Sequence, residues 1–205
     1  MDSLDDLTAS VNHMLAVVGR TPVSRDAVRG MVGQGAQVLV ERALPGAGVD
    51  EVQRGLEIFL VHNEQHLADL TVPFPGVVST LRRLQQAGHA MVVVTNKHEA
   101  LSRTLLDVLG LGGFFHGIYG ADSLPAKKPS PEPLVHVMTQ HGFAPDSTLM
   151  VGDSINDIAA GNGAGAITVG CSWGYGDVAE LAGAVWRIDS FPDLLSLPPL
   201  SGQPS

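Results

Sequence analysis

The run MVVVT, residues 91 to 95, limits the fold more than any other stretch of the chain. Three valines in succession crowd a helix at χ1 but pack well on a pleated surface. An unbroken apolar run of this length suits a strand covered on both faces, as in a parallel sheet, and the strand is expected over 89–97. The pattern recurs downstream. GIYGA at 117–121, STLMVGD at 147–153, AITVG at 166–170 and AVWRI at 184–188 are further short apolar runs. Helical spacing separates them over 75–86, 101–109, 131–141 and 155–163, with a last short helix at 191–197. Alternating strands and helices require right-handed parallel crossovers, which predicts an α/β fold with a doubly wound, Rossmann-like parallel sheet. Ligands of such sheets sit at the carboxyl ends of the strands.

The first third has a different rhythm. Leu4, Leu7, Val11, Met14, Leu15 and Val18 fall at three-and-four spacing and give one apolar helix face. Ser3 is placed to cap that helix, with Asp5 and Asp6 favourable in its first turn. Ser24 opens a short helix, Gly33 and Gly35 break the pattern, and Val38, Leu39 and Ala43 mark a helix ending before Pro45-Gly46. Val52, Leu56, Phe59, Leu60 and Leu67 mark a longer one, and no strand pattern is found up to residue 70. The end of the chain, PPLSGQPS, is expected to fray.

Charge excludes some partners. The formal net charge is −9 and no block of Lys or Arg occurs, which argues against nucleic acid and against an anionic membrane surface. The single cysteine, Cys171, allows no disulfide within the chain and reads as a small packed residue in a reducing compartment. MDSLDDL lacks the basic and apolar regions of a signal peptide, and no apolar run approaches the roughly 20 residues of a membrane span. A cytoplasmic protein, monomer or homodimer, is expected.

Three features lie at strand ends or in loops. Thr95-Asn96 offers a hydroxyl and an amide beside a helix N-terminus, suited to phosphate oxygens or, equally, to capping the helix. In KKPSP, 127–131, two prolines stiffen the backbone after Lys128; the ammonium is a fixed positive charge or simply a solvated one. In GDSIND, 152–157, Asp153 ends a strand and Asp157 comes one helical turn later. Two neighbouring carboxylates repel unless a cation lies between them, and Mg²⁺ is the hard cation that shares such oxygens with a phosphate. The alternative is that Asp153 caps the helix and Asp157 faces its dipole. Taken together, a hydroxyl, an ammonium and a carboxylate at one sheet edge make a site for a phosphoryl group.

In that order, VVVTNK, KKPSPEPL and VGDSINDIAAG resemble motifs two, three and four of the haloacid dehalogenase-like hydrolases. RGMVGQG, 29–35, is similar to part of the helical cap of these enzymes, PFPGVVSTL to the return into the core, and CSWGYG, 171–176, to the phosphoglycolate phosphatase branch. The resemblance implies a helical cap at 3–72, an α/β phosphatase core at 73–198 and a disordered tail at 199–205. It implies a Mg²⁺-dependent phosphatase of a small phosphorylated metabolite, 2-phosphoglycolate by branch, acting through an aspartyl-phosphate. Thr95 and, as a weaker candidate, Asn96 would bind the phosphoryl group, Lys128 would stabilise the nucleophile and the developing charge, Asp153 would be the Mg²⁺ ligand, and Asp157 would support the metal site directly or through water. Arg29 and Gln34 either face the site or lie on the surface. Trp173 and Tyr175 read as loop anchors.

One part of the pattern is not found. The family's nucleophile is the first Asp of an Asp-x-Asp motif closing a central first strand, and no Asp-x-Asp occurs in the 205 residues. Asp2-Ser3-Leu4 matches the family's residues just downstream of that motif. The expectation is therefore a sheet lacking its central strand and a chain that does not turn over, through a start set too late or a truncated N-terminus. The competing expectation is a regulatory protein that binds phosphate and Mg²⁺ without chemistry.

Overall fold

The computed structural model describes residues 1–201. Four helices come first: α1 (Leu4–Val17), α2 (Arg25–Arg29), α3 (Ala36–Ala43) and α4 (Val49–Gln65). They enclose a core of their own, in which Leu4, Val11, Met14, Leu15, Val40 and Phe59 are almost wholly buried. The three-and-four spacing of α1 thus finds its partner in α4. Ser24 caps α2 through its side chain, which accepts from the Ala27 N–H. Ser3 stands at the N-cap of α1 but makes no side-chain cap bond; the Asp2 carboxylate accepts from the Leu4 N–H instead.

The entry to this helical unit and the exit from it lie side by side. Asp2 and Val72 exchange both backbone hydrogen bonds of an antiparallel bridge, at 2.8 and 3.2 Å. Asp6, on α1 and 2% exposed, fixes the adjoining turn. Its carboxylate accepts from the Leu70 and Thr71 N–H groups and from the Thr71 hydroxyl.

The α/β part comprises α5 (Val77–Gln86), β1 (Val92–Val94), α6 (Glu99–Val108), β2 (Gly117–Tyr119), α7 (Glu132–His141), β3 (Leu149–Gly152), α8 (Ile155–Gly163), β4 (Ile167–Cys171) and β5 (Trp186–Ile188). Every pairing is parallel. The strands do not form one sheet. β1 pairs with β2, and β3, β4 and β5 form a second sheet in that order. Among the described residues, β1 and β3 each keep one edge without a strand partner. This pairing explains the burial. β4, paired on both edges, is buried at Thr168, Val169, Gly170 and Cys171, whereas all three valines of β1 are only half-buried. The expected fully covered strand at 89–97 is therefore shorter and wetter: β-branched sequence sets the strand, but cover on both sides depends on neighbours. Val94 nevertheless packs against the cluster of Met150 and Ala160, which brings the two sheets together.

A 3-10 segment, Phe191–Ser196, replaces the expected last α-helix, and Pro198–Ser201 forms a short α9 on it where a disordered tail was expected at 199–205. Residues 202–205 lie outside the described residues. Cys171 is buried, and burial pushes its thiol up to about 12, which fits a packed residue. Among the described residues no helix is long and apolar enough to cross a membrane.

Candidate active site

A cavity of about 870 Å³ opens between the helical unit and the strand ends. Thr95, Asn96, Lys128, Asp153 and Asp157 all line it, together with Arg29, Gln34 and Asn63 from the helical unit. The five residues expected from sequence are therefore brought to one place. Thr95 comes directly after β1, and its N–H donates to the Tyr119 carbonyl, which continues the β1–β2 ladder by one residue. Its hydroxyl oxygen accepts from the Lys97 N–H at 3.1 Å, leaving the hydroxyl proton for a ligand. It does not cap α6, whose N-cap is His98.

Asn96 is 9% exposed and joins three segments. Its amide donates to the Gly33 carbonyl of the helical unit at 3.0 Å and to the Lys128 carbonyl at 2.9 Å. Its Oδ1 is buried without a donor among the described residues. Gly33 and Gly35 present that loop with φ of 107° and 94°, a backbone that favours glycine.

Lys128 is not a solvated loop lysine. It is 9% exposed, and its Nζ donates to the Val94 carbonyl at 2.6 Å and to Asp157 Oδ1 at 2.7 Å. The other oxygen of Asp157 accepts from the Asp153 N–H, the Ser154 N–H and the Ser154 hydroxyl. This is a capping box, with Ser154 at the N-cap of α8 and Asp157 at N3. Both oxygens of Asp157 are thus engaged by protein donors. Asp157 orients Lys128 and starts the helix. The alternative placing Asp153 at the N-cap is corrected, by one residue.

Asp153 stands apart. Its Oδ2 accepts from the Tyr175 N–H at 2.6 Å. Burial, with some repulsion from Asp157, raises its pKa against the pull of that bond. Charging it therefore costs free energy that a nearby cation would offset. Tyr175 anchors the loop as expected from sequence: its hydroxyl donates to Asp2 at 2.9 Å and accepts from the Ser3 N–H. Trp173 packs edge-on against Phe191. Arg29 donates to the Gly174 and Tyr175 carbonyls and latches the helical unit to the same loop. Gln34 accepts from Arg42 within the helical unit.

Two residues were not singled out from sequence. Ser154 was readable, since Ser with an acidic side chain three residues later is a capping-box signal. Lys97 was not, because nothing in TNK says whether the lysine turns inward.

Gly152 leaves room for the Asp157 side chain against the end of β3. A Cβ at Gly152 would fall on the Asp157 side chain. Gly152→Ala is expected to displace Asp157 and lower stability by about 1–3 kcal/mol, as overpacking does elsewhere. Urea unfolding measures it, and an unchanged midpoint would show that the contact relaxes freely.

Fold and site together place a hydroxyl, an ammonium and a carboxylate in one cavity at the strand ends of an α/β core. The chain belongs to the haloacid dehalogenase-like hydrolases, whose family model matches residues 1–171. It is 44% identical over 182 residues to a probable phosphoglycolate phosphatase of Pseudomonas putida, covering 85% of this chain and 72% of that protein. A phosphoglycolate phosphatase of P. putida KT2440 is 45% identical over 182 residues, and the match spans 85% of this chain and 66% of that protein. The crystal structure of a predicted phosphoglycolate phosphatase from Haemophilus somnus superposes with a TM-score of 0.90 at 32% identity, covering 95% of this chain and 91% of that one.

Proposed function

We propose that this chain carries the phosphate site, the helical cap and the α/β core of a Mg²⁺-dependent phosphatase of small phosphate monoesters, with 2-phosphoglycolate as substrate. The observation that carries the reading is the convergence of Thr95, Lys128 and Asp153 on one cavity. The named relatives support the choice of substrate. The cap is the unit α1–α4, and its paired entry and exit at Asp2 and Val72 suit a domain inserted into a core.

The Thr95 hydroxyl and the Asn96 backbone cradle phosphoryl oxygens, and the Lys128 ammonium neutralises the charge that develops on them. Asp157 keeps that ammonium in place. The residues present fit a divalent cation at Asp153. Among the described residues no cluster of three His, Cys, Asp or Glu could hold a metal, so protein ligation is sparse. Mg²⁺ tolerates this, being held by one or two carboxylates with waters and substrate phosphate. Bound there, it would neutralise phosphate charge.

The phosphoryl acceptor is an aspartate on a strand that would pair with the free edges of β1 and β3; no Asp-x-Asp lies within the 205 residues. Attack of that carboxylate on phosphorus releases the alcohol, and water then releases phosphate and regenerates the carboxylate. The test compares Mg²⁺-dependent phosphate release from 2-phosphoglycolate by this chain and by a form extended upstream with the Asp-x-Asp strand. Turnover is expected only in the extended form. Turnover by the 205-residue chain would refute the nucleophile argument. Inactivity of a folded extended form would refute the substrate or favour a binding role.

A further inference from the structure

Four strong cations line the cavity, and three are engaged. Arg29 donates to two carbonyls of the 174–175 loop, Arg42 to the Met31 carbonyl and Gln34, and Lys128 to Val94 and Asp157. Lys97 differs. Its Nζ meets only Asn63 Oδ1, at 3.5 Å, and no carboxylate lies within salt-bridge distance among the described residues. The acid whose charge acts on it, Asp6, has both oxygens engaged by Leu70 and Thr71. Burial pulls the Lys97 ammonium down to about 8, so it is still charged at neutral pH. The Lys97 side chain is half-buried, and a charge drawn partly out of water without a counter-charge is costly. Lys97 lines the same cavity as Thr95, two residues away, with its Nζ against Asn63 of α4.

We propose that Lys97 is the specificity residue that binds a second anionic group, a carboxylate, at the end of the monoester away from the phosphate. This rests on the phosphatase reading and assigns the part of the site that separates acidic from neutral phosphate esters. Asn63 then aligns the ammonium from the helical side, which makes carboxylate binding dependent on the helical unit lying against the strand ends.

The test is calorimetric binding to the 205-residue chain with Mg²⁺, using 2-phosphoglycolate and ethyl phosphate, which differ by the carboxylate. The chain is expected to bind 2-phosphoglycolate more tightly, and Lys97→Met to weaken that ligand about 10- to 100-fold while leaving ethyl phosphate unchanged, the loss of one charge-assisted pair. At about pH 8, where Lys97 is half-charged when free, 2-phosphoglycolate is expected to bind with proton uptake that Lys97→Met abolishes. Equal affinity of the unmodified chain for both ligands would overturn the Lys97 role and leave the phosphate site standing. Binding of neither would overturn both. Lys97→Met removes a half-buried, unpaired charge and is expected to keep urea stability; a clear loss would assign Lys97 to packing against Asn63 and overturn the proposal.

Discussion

Asp157→Ala is expected to destabilise the protein by about 3–5 kcal/mol, the usual result of removing one partner from a buried ion pair. The substitution leaves the Lys128 ammonium, 9% exposed, with a single carbonyl as partner. It also removes the acceptor for two N–H groups and a hydroxyl at the start of α8. Lys128→Met is expected to cost less, because Asp157 keeps those three donors while losing only the ammonium. The double variant should be less destabilised than the two single losses added together, since the unpaired charge then disappears. Urea unfolding of the four proteins measures the coupling. Strict additivity would mean that Lys128 and Asp157 do not depend on each other.

Asp6→Ala should lose about 3 kcal/mol or more. The carboxylate is 2% exposed and receives the Leu70 and Thr71 N–H groups and the Thr71 hydroxyl. Alanine leaves these donors buried without an acceptor, at roughly 1–3 kcal/mol for each group that water does not reach. The damage should be local first. Hydrogen exchange at the Leu70 and Thr71 amides should quicken well beyond the change at the β4 amides. Uniform acceleration across the chain would show that the turn opens only with global unfolding.

Local pattern explains why the elements were readable. The β-branched triplet at 92–94 and the three-and-four spacing of α1 each act within a few residues, and each formed where expected. The site residues were readable because Thr95, Lys128 and Asp153 stand where the chain leaves a strand or stiffens at prolines, and chain order placed them at one sheet edge. What each side chain does there was not readable. Asp153 and Asp157 look alike in sequence, yet one is held by a loop N–H from residue 175 and the other by Lys128 and its own helix start.

By itself the sequence determined the α/β alternation, the helical first third and the residues available to a phosphate. Periodicity and residue chemistry act at short range, so no neighbour is needed to read them. Only the tertiary structure decided that Asp157 pairs with Lys128 and caps α8, that Asn96 ties the Gly33 loop to Lys128, and that Lys97 is half-buried without a carboxylate beside it among the described residues. Pairing, burial and charge compensation depend on which groups meet across many residues, and that is fixed by packing.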